Sequence, residues 1–292
     1  MRGQSTSMST QFLRAKGLIG GALALALGAT AAYAAGEAAH IDRQSWSFAG
    51  FNGRFDRAQL QRGFQVYKEV CATCHGLKRI NFRNLAEPGG PEFPVEGVKG
   101  LAESYRVDDG PNDQGKMFQR PGRPADAIPS PYKNEQEARA VQNGAYPPDL
   151  SLITKARSAG ENTSVLATVG SMLRDIPGGY QEGGADYVYA LLTGYVNAPA
   201  DVKMAQGMTY NRAFPGHQIA MVPPLQPGQI KYEDGRQGTV EQYAKDVTAF
   251  LAWAGDPKLE ERKRMGVLVF FYLLITSVLV YLAKRRLWAK VH

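Results

Sequence analysis

Both cysteines of the chain lie in one stretch of five residues, Cys71-Ala72-Thr73-Cys74-His75. Two thiols separated by two residues and followed at once by histidine form the attachment signature of a c-type haem. On one helical turn this spacing places both sulfurs over the same porphyrin edge, where each can add to a vinyl group. The stretch therefore predicts one haem c bound covalently by Cys71 and Cys74, with His75 as an axial ligand of the iron.

Three other interpretations of a CxxC pair compete with haem. Half of a zinc site needs a second pair of ligands, and the chain has no further cysteine to supply it. A thioredoxin-like redox pair is typical of a βαβ setting, which the sequence does not suggest. A chance match is the third. The histidine favours haem, and haem attachment leaves no cysteine for a structural disulfide.

The N-terminus predicts a secretory signal peptide over residues 1–34. Three basic residues precede a short apolar core, and the segment contains no acidic residue. Ala32-Tyr33-Ala34 resembles a cleavage site. An organellar presequence is the alternative, because the segment lacks acids and contains several serines. In either case the domain that follows is expected to leave the compartment of its synthesis.

A stretch of nineteen residues near the C-terminus, residues 265–283, contains no charged side chain. As a helix they extend about 28 Å, close to the thickness of the hydrocarbon core of a bilayer. We therefore predict a transmembrane helix here, with a buried core helix as the alternative. Residues 258–264 would be a basic juxtamembrane linker, and residues 284–292 a short cytoplasmic tail. The exported haem domain, residues 35–257, would face the periplasm of a bacterial inner membrane that the chain crosses once.

The net charge of the chain is concentrated at its ends. Residues 1–34 carry three basic side chains and no acidic one, whereas residues 258–292 carry eight basic and two acidic side chains. Because the whole chain has a formal net charge of +7, residues 35–257 carry a net charge of −2. The basic balance therefore does not indicate nucleic-acid binding, and the domain suits a basic protein partner.

Two amphipathic helices are predicted from caps and periodic apolar residues. Asp56, with Gln59 in a capping box, precedes a helix that buries residues at helical spacing and ends at the haem motif. Gly63 lies on the apolar face of that helix, which indicates the close approach of another element. Thr239, with Gln242, begins a second helix that is the expected partner of the first.

The remainder of the domain predicts short helices and long loops. Residues 86–131 are rich in proline and glycine, and we expect a structured loop there with no strand or long helix. Short helices are predicted at residues 135–143, 150–159, 165–173 and 185–193. No sustained strand pattern occurs, so the domain is predicted to be mostly α-helical.

The second axial ligand of the iron is predicted to be a methionine. Met221 is followed directly by Val222 and two prolines, which stiffen a loop and can hold a thioether at the iron. A Met/His pair raises the reduction potential and closes the iron to small ligands. His217, Met208 and an open iron remain alternatives on the residues alone.

The chain resembles the cytochrome c1 family, the membrane-anchored haem subunits of the cytochrome bc1 complex, over nearly all of its mature length. The combination of the haem motif with a proline-flanked methionine and a C-terminal span is specific to that family. The resemblance rests on residues 60–63, 66–71, 138–140, 143–150, 155–157, 191–195, 214–216, 219–224 and 244–247.

This resemblance implies a class I cytochrome c fold with His75 and Met221 as axial ligands, and it places Arg157 and Tyr187 near the haem propionates. It implies a redox subunit of a quinol:cytochrome c oxidoreductase in which no side chain is catalytic. Its expected partners are cytochrome b, a Rieske iron–sulfur protein, a c-type cytochrome and membrane lipid.

Two other functions remain open from the sequence. A membrane-anchored c-type cytochrome that donates electrons to a terminal oxidase would share the haem and the span. A haem-based sensor of small ligands would instead have an open iron.

Overall fold

The computed structural model describes residues 41–157, 169–170 and 173–289. The predicted signal peptide and most of the helix predicted at residues 165–173 lie outside these ranges. Among the described residues the secondary structure is mainly helical, which confirms the predicted fold class.

Helix α1 (Arg57–Glu69) runs directly into the haem motif and begins as predicted at Asp56. The side chain of Asp56 accepts a hydrogen bond from the backbone amide of Gln59. The predicted capping box is incomplete, because the Gln59 side chain donates to Asp246 on another helix rather than to the Asp56 backbone. A tertiary hydrogen bond to a buried carboxylate thus replaces the local one.

Helix α6 (Val240–Gly255) crosses α1 at Gly63, which confirms the expected close approach. A methyl group at Gly63 would meet the backbone carbonyl of Asp246 and lie 2.7 Å from Cβ of Phe250. As predicted, Thr239 caps this helix by accepting from the amide of Gln242. The Gln242 side chain also donates to Asp246 instead of completing a capping box.

Asp246 is fully buried at this crossing and is paired with Arg62 of α1, whose Nε lies 2.9 Å from the carboxylate. The two glutamine side chains supply further hydrogen bonds to the same carboxylate. A buried charge needs such partners, because the desolvation of an unpaired carboxylate costs several kcal/mol or more. The crossing is therefore fixed by polar contacts as well as by aromatic packing.

The prediction that residues 86–131 contain no strand is wrong. Helix α2 (Val95–Glu103) is followed by a hairpin of β2 (Arg106–Asp109) and β3 (Phe118–Pro121). Strand β4 (Ala127–Ile128) also lies within these residues and pairs with β1 (Leu77–Asn81), which precedes them. The hairpin strands are short and largely exposed, so they show no apolar alternation.

Ion pairs instead support the hairpin and the turn that follows it. Arg120 Nε lies 2.5 Å from Asp109 of the facing strand, and its Nη1 lies 2.6 Å from Asp126. Side chains six and eleven residues apart thus link β2, β3 and the residue before β4. Such pairing depends on the register of the strands and leaves no periodic pattern in the sequence.

The other helices of the domain are α3 (Glu135–Val141), α4 (Ile153–Ala156) and α5 (Gly183–Thr193). Helix α4 is much shorter than the predicted residues 150–159. The side chains of Asp149 and Ser151 accept hydrogen bonds from backbone amides of β1. These bonds keep the residues before Ile153 out of the helix. A small hairpin of β5 (Thr209–Tyr210) and β6 (Gln218–Ile219) lies in the loop before α6.

Helix α7 (Leu259–Trp288) has thirty residues and a mean hydropathy of 2.4 in its most apolar window, none of which is buried. This excludes the alternative of a core helix and supports a single-pass membrane protein. Among the described residues it is the one helix long and apolar enough to span a bilayer. Residues 258–264, predicted as a linker, are instead the cap and the first turns of this helix, with Lys258 at the N-cap.

Candidate haem site

The haem motif follows α1 as a single 3₁₀ turn, Cys71–Thr73. The backbone amides of Cys74 and His75 both donate to the carbonyl of Cys71, at 3.1 and 2.8 Å. Both cysteines are free thiols on this turn. The local geometry therefore presents two unpaired sulfurs together, as the predicted double thioether attachment requires.

The surroundings of the thiols fit haem better than zinc. Burial raises the pKa of the Cys71 thiol to about 12, and the nearby Cys74 adds to the effect. Zinc takes thiolates, and this site disfavours the charged form. The described residues also contain no group of three or more His, Cys, Asp and Glu side chains that could hold a metal ion.

The ring of His75 is held by a backbone carbonyl 73 residues away. Nδ1 of His75 lies 2.8 Å from the carbonyl oxygen of Pro148. A carbonyl only accepts, so Nδ1 must carry the proton and Nε2 is left with its lone pair. Burial lowers the pKa of His75, although the hydrogen bond to Pro148 opposes this shift. The side chain is thus a neutral imidazole with one nitrogen prepared for a metal.

The segment that contains Pro148 is itself hydrogen-bonded to the residues that follow the motif. The backbone amide of Leu150 donates to the carbonyl of Gly76 at 2.9 Å, and the amide of Lys78 donates to Asp149 at the same distance. Both bonds are made within two residues after Pro148 and so hold its carbonyl next to the motif. The sequence reasoning missed this role, because every residue has a backbone carbonyl and none is marked by residue type.

Met221 lies in the bend after β6 and is half-buried, whereas the neighbouring Val222 is 66% exposed. The hydroxyl of Tyr195 donates to the backbone carbonyl of Met221 at 3.1 Å, which ties this loop to the end of α5. Tyr195 was also missed from the sequence. Its position just after α5, next to Gly194, gave no indication of this contact.

The two alternative ligands have other contacts in the structure. The ring of His217 stacks on Tyr210 with 5.4 Å between the ring centroids, and its Nδ1 lies 3.2 Å from the carbonyl of Asn211. His217 also has a positive φ of 60° and belongs to the turn between β5 and β6. Met208 is 42% exposed. The ring of His217 is therefore engaged by Tyr210 and Asn211, and Met221 as the second ligand stays a prediction.

Arg157 and Tyr187 are brought into the same region by the packing of α4 against α5. Gly184 of α5 lies directly against the backbone of Thr154 and Arg157, where any larger side chain would clash. Burial raises the pKa of Tyr187, and the positive charge of Arg157 opposes the shift. Arg157 is exposed in an extended conformation just after α4. Its guanidinium is therefore available to an anionic group at this edge of the domain.

The residues of the motif fit a covalently bound haem, because they offer two free thiols close together and an imidazole with a free Nε2. Met221 as the second ligand and Arg157 as a propionate contact stay predictions. The model of the Cytochrome C1 family matches residues 46–291 of the chain.

The chain belongs to the cytochrome c1 family.

Several relatives with that name are similar over most of the chain. Cytochrome c1 of Blastochloris viridis is 44% identical over 273 residues, covering 92% of the chain and 95% of the relative. A mitochondrial heme protein named cytochrome c1-2 from Solanum tuberosum is 40% identical over 274 residues, covering 93% and 95%.

A third relative is longer. The cytochrome b/c1 protein of Bradyrhizobium diazoefficiens is 54% identical over 248 residues, which are 85% of the chain and 35% of that protein. The chain thus spans about a third of this relative and nearly the whole of the other two. Family membership accounts for the mostly helical domain as a class I c-type haem fold.

Proposed function

We propose that the chain is the electron-transferring haem subunit of a cytochrome bc1 complex and a component of its quinol:cytochrome c oxidoreductase activity. The observation that carries the proposal is the haem motif, with its oriented histidine, in a chain of the cytochrome c1 family. The bound haem c supplies reversible one-electron transfer. The electron would come from a Rieske iron–sulfur protein and pass to a c-type cytochrome.

Each site residue has a separate role in this proposal. Cys71 and Cys74 would hold the haem through thioether bonds. His75 would offer Nε2 to the iron, and Met221 would offer its sulfur. Two strong ligands keep water and small molecules from the metal, and a Met/His pair raises the reduction potential. The carbonyl of Pro148 holds the imidazole in place during oxidation and reduction.

Arg157 and Tyr187 are proposed to contact the haem propionates. Arg157 directly follows α4, Tyr187 lies on the neighbouring α5, and Arg157 is exposed. Arginine matches a carboxylate in charge and in the geometry of its donors. A cation beside the propionates would stabilise their charge and help to set the haem potential.

The proposed location is a bacterial inner membrane, with the haem domain in the periplasm and the chain's C-terminal end in the cytoplasm. The exposed apolar surface of α7 supports the span, and the sequence of residues 1–34 supports export. Cytochrome b and lipid are the partners expected beside α7.

Purification in a mild detergent tests the assembly. The proposal expects cytochrome b and a Rieske protein to be recovered with the haem-stained chain in equal amounts. Recovery with a terminal oxidase and without cytochrome b would support the anchored donor instead.

The net charge of residues 35–257 predicts electrostatic docking with a basic cytochrome. The rate of electron transfer to such a partner should fall as ionic strength rises, because salt screens the attraction. A rate indifferent to salt in stopped-flow measurements would argue against this docking mode.

A further inference from the structure

One corner of the haem domain exposes apolar side chains beside the start of the membrane helix. We define this apolar corner as Phe51, Leu173 and Ile176, which are 59%, 62% and 63% exposed. The ring of Phe51 packs over Gly179, and the amide of Gly179 closes a turn on the carbonyl of Ile176. The corner is thus built from two segments far apart in the sequence.

Lys263 of α7 fixes the position of this corner along the axis of the membrane helix. Its Nζ donates to the carbonyls of Phe48 and Gly50, at 2.6 and 2.5 Å. Lys263 precedes the charge-free residues 265–283 by two positions, which is about 3 Å along a helix axis. The loop that ends in Phe51 therefore lies within reach of a lysine side chain from the point where the apolar part of α7 begins.

The joint between α7 and the domain has a second set of contacts. Glu260 accepts hydrogen bonds from Arg57 at 2.7 and 2.9 Å and from the backbone amide of Phe55 at 2.9 Å. Leu259 is buried in the domain core. Arg43 pairs with Asp175 at 2.8 Å and so attaches the segment containing Leu173 and Ile176 to the N-terminal segment. The apolar corner cannot move away from the helix without breaking these bonds.

We propose that the apolar corner rests in the interfacial layer of the bilayer and is a second membrane contact beside α7. Exposed aromatic and aliphatic side chains at the height of the lipid headgroups gain free energy by leaving water. The side chain of Arg174 is 69% exposed, with its Nε 3.4 Å from the Asp175 carboxylate that also pairs with Arg43, and its exposed guanidinium suits anionic headgroups.

A single helix leaves a domain free to tilt and to rotate about the helix axis. A lateral contact with lipid restricts both motions and so holds the haem edge in one orientation. The inference depends on α7 spanning a membrane and not on the proposed electron-transfer function. A lipid contact can therefore be measured, or found absent, whatever the electron partners prove to be.

Spin labelling tests the contact in the full holoprotein assembly, reconstituted into vesicles of phosphatidylcholine and phosphatidylglycerol. Ile176→Cys carries the label, since the native cysteines are consumed by thioether bonds. Val141→Cys is the matched control, because Val141 is 62% exposed on α3. It lies beside Gln142, which contacts Cys74, at the opposite end of α1 from the Glu260 joint.

For each spin label we compare two collision rates. One is with oxygen, which concentrates in lipid, and the other is with a nickel chelate, which stays in water. The oxygen-to-nickel ratio at position 176 should be several-fold higher than at position 141. An equal ratio would overturn the proposal, and so would a label shielded from both reagents, because another subunit would then cover the corner. Leu173→Cys repeats the measurement if Ile176→Cys does not accumulate.

Discussion

Replacing Gly63 with alanine tests the helix crossing on which the haem motif depends. The added methyl group would lie 2.7 Å from Cβ of Phe250, whereas carbon atoms in contact are about 3.5–4.0 Å apart. It would meet the backbone carbonyl of Asp246 even more closely. Neither obstacle can rotate away, because one is backbone and the other is the first atom of a fully buried side chain.

The expected cost follows from these contacts. Inserting a methyl group into a packed core costs about 1–3 kcal/mol, and a collision with a backbone carbonyl and a Cβ atom of the crossing helix belongs at the upper end. Alanine also stabilises a helix by about 1 kcal/mol relative to glycine. We therefore expect Gly63→Ala to lower the free energy of unfolding by about 2 kcal/mol. Because α1 runs into Cys71, the haem environment should change as well.

Gly100→Ala is the matched control. Gly100 lies in helix α2, and a methyl group there would meet nothing within 4 Å. This variant should be stabilised by about 0.5–1 kcal/mol. Guanidinium denaturation of the detergent-solubilised holoprotein, followed by far-ultraviolet circular dichroism, measures both. A Gly63→Ala protein as stable as the Gly100→Ala protein would refute the reasoning.

Three further predictions concern separate parts of the domain. Met221→Leu should lower the haem potential markedly and allow the reduced protein to bind carbon monoxide; an unchanged potential in a redox titration would point to another ligand. Thr239→Ala should cost about 1 kcal/mol in denaturant titrations through loss of the α6 cap, whereas no loss would show that the cap is dispensable. Arg120 lowers the pKa of Asp126 to about 2, so their pairing should stabilise the hairpin above pH 4 and be lost as the pH falls through 2. Asp126→Asn should weaken that pH dependence in thermal melts without abolishing it, because Asp109 still pairs with Arg120, and an unaltered profile would contradict the pairing.

The parts of the fold that the sequence predicts well are those with local determinants. The caps at Asp56 and Thr239 and the apolar stripes of α1 and α6 need no knowledge of distant contacts. Gly63 indicated the crossing, because a glycine on an apolar helix face is unfavourable unless another backbone comes close. The haem motif is equally local, since five consecutive residues contain both thiols and the histidine.

The parts that could not be predicted depend on distant or backbone contacts. Glutamines 59 and 242 each had a local role available, but both serve the buried carboxylate of Asp246. The hairpin β2–β3 is supported by ion pairs whose partners are set by strand register. The carbonyl that orients His75 comes from Pro148, and the hydroxyl that holds the Met221 loop comes from Tyr195.

The central claim is that this haem carries electrons from quinol oxidation to a c-type cytochrome. The most direct measurement follows the absorbance of the haem in the purified assembly while a quinol and then a ferric c-type cytochrome are added. The account predicts that quinol reduces the haem and that the added cytochrome reoxidises it. A haem that stays oxidised with quinol, yet is reduced by dithionite, would contradict it.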